Sequence, residues 1–219
     1  MKYIDLKNKK LNWYNRNLFY LGTIFVVFIN IFAFLFNDNS WKFEYVYSQW
    51  TDVLNFNNLF ACFFSAFKHS NLQHCLLNCL CFFVVGTYVE RKIGTLNLFV
   101  LVVSFALFCE SAVDANHSGG SVGFSGVNYA FYAYAIIDYI FMFINKKQTK
   151  SSIIYGAIIL ALIYWATCFS GGTTAFSFKI YPYDLLTNMG HYTSFFAGAI
   201  LTLLLQFVKW QMSKNDYTV

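Results

Sequence analysis

Proline occurs once in 219 residues, at Pro182, and charged side chains make up only 11% of the chain. The first scarcity leaves no proline kink inside any long apolar run. The second, set against 58% hydrophobic and 22% aromatic residues, excludes a soluble globule, because so little polar surface cannot cover a domain of this size. No internal repeat and no low-complexity segment is present. There is no HExxH string, and His69 and His74 are five apart, which on a helix separates them by about 140°. A helical two-histidine metal site is therefore not supported, and neither metal nor cofactor is expected. A soluble nucleophile elbow, G-x-S-x-G, is also missing, since Val127 stands where its last glycine would be. The six cysteines, Cys62, Cys75, Cys79, Cys81, Cys109 and Cys168, lie mostly within apolar stretches and read as small core hydrophobes, not as a disulfide framework.

What is present is a series of six apolar stretches, each close to the ~20 residues that cross the hydrocarbon core of a bilayer. They run approximately over Asn17–Phe36, His74–Val89, Leu96–Val113, Ser125–Phe143, Ser152–Phe169 and Gly190–Val208. Continuous apolar runs without alternation indicate helices, not barrel strands. The basic start followed by an apolar run is read as an uncleaved first span, because "FAFLFNDNS" offers no small-residue cleavage site. The fold class expected is all-α: a polytopic membrane protein of six transmembrane helices, with residues 1–16 and 209–219 as tails around a membrane domain at 17–208.

The formal charge of +5 does not point to nucleic acid, because the charges sit in short runs between apolar segments. With a cytoplasmic N-terminus, twelve Lys and Arg fall on the inner side, from Lys2 to Lys214, and only Lys42, Lys68 and Lys179 fall outside. That bias places both termini in the cytoplasm and predicts a multi-pass protein of the plasma membrane.

Topology then gives the polar residues a depth. The second, fourth and sixth stretches all start from the outer side, and each carries polar groups in its first turns: His74 and Asn78, Ser125, and His191. His74 shares a helix face with Asn78, and Ser125 with Tyr129, since each pair is four apart. Asn128 and Asp138 are expected elsewhere around the fourth helix. Ser125, within "GFSGVNYA", has two readings. One is close helix packing, for which small residues are common. The other is a nucleophile at a helix start, where Gly123 and Gly126 leave the backbone unobstructed and the free amides favour developing negative charge. His191, Ser194 and Gly198 follow on the sixth helix, and the small-xxx-small spacing would let that helix press on Gly126 and bring His191 to Ser125.

These residues together resemble the rhomboid intramembrane serine proteases in their six-span bacterial form. The resemblance covers about residues 67 to 200 and rests on His69, His74 and Asn78 as H-x4-H-x3-N, on Gly86, Glu90 and Gly94 in "GTYVERKIG", on "GFSGVNYA", and on Gly190-His191. It implies Ser125 as nucleophile and His191 as general base, a dyad without a third carboxylate. It implies an oxyanion hole from His74, Asn78 and the Ser125 amide, with Tyr129 stacked on the catalytic histidine. His69 and Glu90 are implied as structural positions, Glu90 bonding to the first loop or lying at the inner end. Two departures stand out. Phe60-Ala61 occupies the place of a Trp-Arg pair, for which Trp41 or Trp50 would substitute, and Ser194 replaces a glycine.

Substrates implied are single-span or other membrane proteins, cut near the outer end of a helix that must unwind to expose its carbonyl. The segment "SGGTTAFSFKIYPYDLLTNMG" before the sixth helix reads as either a mobile lid or a long connector. Two other classes remain: a catalytically silent rhomboid-like protein that binds membrane helices, and a transporter using Glu110, Asp114 and Asp138. The retained Ser125 and His191 argue against the first, and the lack of inverted repeats against the second.

Overall fold

The computed structural model describes residues 20–36, 63–114, 123–145, 149–170 and 177–215. Helices α1 (Leu21–Leu35), α2 (Leu72–Ile93), α3 (Thr95–Asp114), α4 (Ser125–Ile144), α5 (Lys150–Thr167), the short α6 (Tyr183–Thr187) and α7 (Met189–Asn215) form a bundle. Between α5 and α6 lies a two-stranded antiparallel ribbon, β1 (Phe169–Ser170) and β2 (Ser177–Phe178), with Phe169 opposite Phe178. Ribbon and α6 occupy much of the stretch read as lid or connector, so its described part has regular structure.

Three helices are long and apolar enough to cross a membrane by length and composition: α2, α4 and the Met189–Val208 part of α7. Leu21–Leu35, Thr95–Phe108 and Ser152–Thr167 are shorter apolar segments, at the places of the expected first, third and fifth spans. Boundaries differ where polar residues cap. Helix α2 starts at Leu72, before the expected His74, because the Asn71 side chain accepts a hydrogen bond from the His74 amide at 2.8 Å. It stops at Gly94, whose φ of 84° and ψ of 162° are open to glycine and rare for other residues, just after Arg91 and Lys92 in the last turn. Helix α5 starts with a capping box in which the Thr149 side chain accepts from the Ser152 amide and Ser152 Oγ accepts from the Thr149 amide. Helix α7 runs past Val208 to Asn215.

Helix α4 is the centre. Every residue from Val127 to Ala135 is buried, so this helix is enclosed all round, with α2, α3, α5 and α7 as neighbours. Its most extensive pairing is with α7. A Cβ on Gly198 of α7 would overlap the backbone of Ala130, so the two helices touch main chain to main chain there. This main-chain approach lies one turn along α4 from Gly126. Outward faces of α1 and α7 are apolar, as at Phe28, Leu35 and Leu204. Such patches on a soluble protein would be a liability, whereas against lipid they are the matched surface.

Two buried carboxylates tie the bundle at the end away from the first turns of α2, α4 and α7. Glu90 is fully buried and accepts hydrogen bonds from the amides of Gly22 and Thr23 and from the hydroxyls of Thr23 and Thr95, at 2.7 to 3.0 Å. It places negative charge at the N-terminus of α1, where free amides and the helix dipole favour it. Among the described residues, the partners of Glu90 thus lie at the start of α1 and the start of α3. Gly22 is required beside it, since a Cβ there would come within 2.8 Å of Glu90 Oε1. Gly86 likewise lets α1 approach, with Thr23 Cγ2 3.0 Å from a built Cβ. Asp138 receives Tyr88 Oη at 2.6 Å, Gln206 Nε2 at 3.0 Å and Lys92 Nζ at 3.1 Å, linking α2, α4 and α7. Cys75, Cys79, Cys81 and Cys168 are free and buried. Cys62, the side chains of Cys109, Glu110 and Asp114, and Trp41, Trp50, Phe60 and Ala61 lie outside the description.

Candidate active site

The first turns of α2, α4 and α7 converge at one end of the bundle. Ser125 opens α4 directly after Gly123 and Phe124. Gly123 has φ 126°, a conformation that side-chain-bearing residues rarely adopt, and its amide donates to the Ser65 carbonyl at 3.2 Å. Phe124 is fully buried against Phe67 and Phe82, and its amide donates to His69 Nε2 at 3.4 Å. The residues preceding Ser125 are thereby pinned to the segment before α2. His69 must be neutral to accept that bond, and burial, reinforced by the neighbouring His74, pushes it down to about 3.

His191 enters from the first turn of α7. The Asn188 side chain accepts from the amides of Gly190 at 3.0 Å and His191 at 3.3 Å, which caps the helix and sets the height of the imidazole. Ser194 is fully buried and donates to the Gly190 carbonyl at 2.6 Å, turning its hydroxyl back onto its own helix and leaving a small surface towards α4. With α7 pressed on Ala130, His191 Nε2 lies 2.7 Å from Ser125 Oγ. The Tyr129 ring, one turn along α4 from Ser125, stacks on the imidazole with centroids 4.2 Å apart and planes 11° apart.

On the other side of Ser125, α2 presents His74 and Asn78. A Cβ on Gly123 would meet His74 Cε1 at 2.8 Å, His74 Nε2 at 3.0 Å and Asn78 Nδ2 at 3.7 Å. Both side-chain nitrogens therefore gather where Gly123 has no side chain, two residues before Ser125. Ser70 Oγ is 3.3 Å from His74 Nδ1, and when that hydroxyl donates, the imidazole proton sits on Nε2. Asn78 is buried, and its Nδ2 meets no acceptor among the described residues. The start of α4 adds leading N–H groups that have no intrahelical partners.

The arrangement joins a hydroxyl, a base in contact with it, and side-chain donors beside a helix N-terminus. Chemically it suits removal of a proton from Ser125 and stabilisation of an oxyanion nearby. All thirteen site residues named from the sequence are in the described structure. His69, Gly86, Glu90 and Gly94 do not take part in the Ser125–His191 contact. One residue was missed. Asn128, expected elsewhere around α4, faces α2 and donates from Nδ2 to Asn78 Oδ1 at 3.0 Å and to the Asn78 carbonyl at 3.2 Å. Its spacing of three from Ser125 was the available signal, since such pairs are neighbours on a helix.

Residues 57–207 match the family model described as the Rhomboid domain. A curated relative, the rhomboid protease GlpG of Photorhabdus laumondii subsp. laumondii, is 22% identical over 185 residues, covering 83% of this chain and 60% of the relative. The chain thus spans about three fifths of the length of that protein.

Proposed function

The chain belongs to the rhomboid family, and from that premise we propose that it is an intramembrane serine endopeptidase working through a Ser125–His191 dyad. The observation that carries this reading is the 2.7 Å separation of His191 Nε2 and Ser125 Oγ. His191 takes the hydroxyl proton as Ser125 Oγ attacks a peptide carbonyl of the substrate, and the negative charge moves onto the carbonyl oxygen. Asn78, His74 and the Ser125 amide receive that oxyanion. Collapse breaks the C–N bond, His191 returns the proton to the leaving amine, and the Ser125 ester is then hydrolysed by water with His191 again as base.

Tyr129 takes the part that an orienting carboxylate plays in a triad, holding the imidazole plane by stacking. Because an orienting Asp is worth about 10⁴ in kcat, a dyad held this way is slow. The substrate is a helix of another membrane protein, cut near its outer end, where local unwinding frees the carbonyl. In this reading the chain crosses the plasma membrane six times with both termini in the cytoplasm, residues 17–208 forming the membrane domain, and the site opens to the exterior. Asp138 gives a transport reading no support, because three partners on α2 and α7 occupy it.

The test is incubation of purified protein with a single-span model substrate beside Ser125→Ala and His191→Ala. Cleavage by the wild type alone, with fluorophosphonate labelling at Ser125, is the expected result. Cleavage that persists in both variants would overturn the dyad.

A further inference from the structure

Asn78 presents a particular problem. An asparagine amide has a donor end and an acceptor end of nearly equal shape, and only one of the two rotations aims N–H groups towards the Gly123–Ser125 turn. A site that needs a donor there must define that rotation.

Asn128 defines it. Its Nδ2 lies 3.2 Å from the backbone carbonyl of Asn78, an atom that can only accept, so the amide end of Asn128 facing α2 must be the nitrogen. That nitrogen has two hydrogens. The second points at the Asn78 side chain 3.0 Å away, so the Asn78 atom facing it must be an acceptor, Oδ1. Once Oδ1 is turned to Asn128, Nδ2 of Asn78 is turned away from it, and it is this atom that sits 3.7 Å from a Cβ built on Gly123. A backbone carbonyl, which cannot flip, thus fixes two side-chain amides in sequence. Both asparagines are more than nine-tenths buried, so water does not compete for the choice.

Few side chains can do this. One nitrogen must donate twice, to Oδ1 and to the main-chain carbonyl of the same residue, without bringing a charge into the bundle. Serine or threonine has a single hydrogen to give, and valine or leucine none. The arrangement has a cost, since Asn128 Oδ1 meets no donor among the described residues. A buried amide half unsatisfied in the central helix is a poor stabiliser, which favours a role in setting geometry.

We infer that Asn128 is a positioning residue that locks the Asn78 amide with its donor end towards the Ser125 turn. The inference rests on the proposed function for its catalytic consequence, and on the hydrogen bonds alone for the lock itself. Two measurements separate them.

The first is turnover of the model substrate by Asn128→Leu, which keeps the shape and removes both donors, and by Asn128→Ser, which keeps one. Expected for Asn128→Leu is a fall in kcat approaching the ~10²-fold of a lost oxyanion donor, with KM little changed. Asn128→Ser should recover part of it. In an Asn78→Ala background, Asn128→Leu should change kcat no further, because its effect passes through Asn78. Losses that multiply in the double variant would overturn the inference, as would a rise in KM with kcat held.

The second measurement needs no turnover. In protein with ¹⁵N-labelled asparagine in detergent micelles, the Asn78 side-chain amide pair is identified by its loss in Asn78→Ala. Asn128→Leu should shift or broaden that pair, and an unchanged pair would overturn the lock. A wild type that cleaves nothing while the pair responds to Asn128→Leu would sink the proposed function and leave the lock standing.

Discussion

The imidazole of His191 lies flat on the ring of Tyr129, 4.2 Å between centroids, while its Nε2 reaches Ser125 Oγ at 2.7 Å. The stack and the hydrogen bond constrain different motions: the ring sets the imidazole plane, and the serine sets its rotation within that plane. An aromatic pair is worth about 0.5–1.5 kcal/mol beyond burial, so Tyr129→Leu should lower kcat about 2- to 12-fold. Tyr129→Phe keeps the ring and should stay near wild type. A Phe variant as slow as the Leu variant would mean the hydroxyl, not the stack, carries the effect.

Asn78→Ala removes a donor without touching the Ser125–His191 pair. Turnover should fall by about 10²–10³ with KM nearly unchanged, the pattern of an interaction made only in the transition state. A KM increase at constant kcat would place Asn78 in ground-state binding instead.

The parts legible from the sequence were those set by the bilayer and by single helices. Apolar length located the long helices among the described residues, and the depth of first-turn residues placed Ser125, His74, Asn78 and His191 at one end of the bundle. Relations that depend on how one helix is rotated against another were not legible. Asn128 meets Asn78, and Gly198 meets the Ala130 main chain, because of rotation and rise that a 3.6-residue period does not specify. Glu90 was recognisable as a support, but its partners Gly22 and Thr23 lie 68 and 67 residues away along the chain. The β1–β2 ribbon left no trace, since two-residue strands are too short to show alternation.

Glu90 should matter for stability and little for chemistry. It lies sixteen residues from His74 on the same helix, about 24 Å along the axis. Glu90→Ala strands the Gly22 and Thr23 amides in a buried place, at a cost of about 3 kcal/mol, since hydrogen bonds to charged groups are the strong ones. Thermal unfolding in detergent should drop by several degrees, while kcat per folded molecule holds. Loss of kcat without loss of stability would show that the two ends of α2 are coupled.

Gly198 holds α7 against α4. Gly198→Ala places a methyl group into the Ala130 backbone, where nothing flexible can yield, so the helices must separate. Misplacement of about 1 Å at a reacting pair can cost about 10²-fold. The expected outcome is a large fall in kcat, with fluorophosphonate labelling of Ser125 slowed in parallel. Wild-type turnover in this variant would mean that the main-chain contact at Ala130 does not set the Ser125–His191 distance.

His69 gives the fold a pH dependence of its own. Buried and accepting from the Phe124 amide, it stays neutral down to about 3, while in the unfolded chain it protonates near the ordinary 6.5. Between those values the unfolded state binds the extra proton, so stability rises with pH across the window. The contribution is complete above about pH 6.5 and is lost progressively as pH falls towards 3, at up to about 1.4 kcal/mol per unit for the one proton. His69→Gln, which does not titrate, should flatten the pH dependence of the unfolding midpoint by that one proton between pH 6.5 and the onset of carboxylate protonation. An identical slope in the variant would mean that His69 is protonated in the folded protein, and the Phe124 amide would then need a different acceptor.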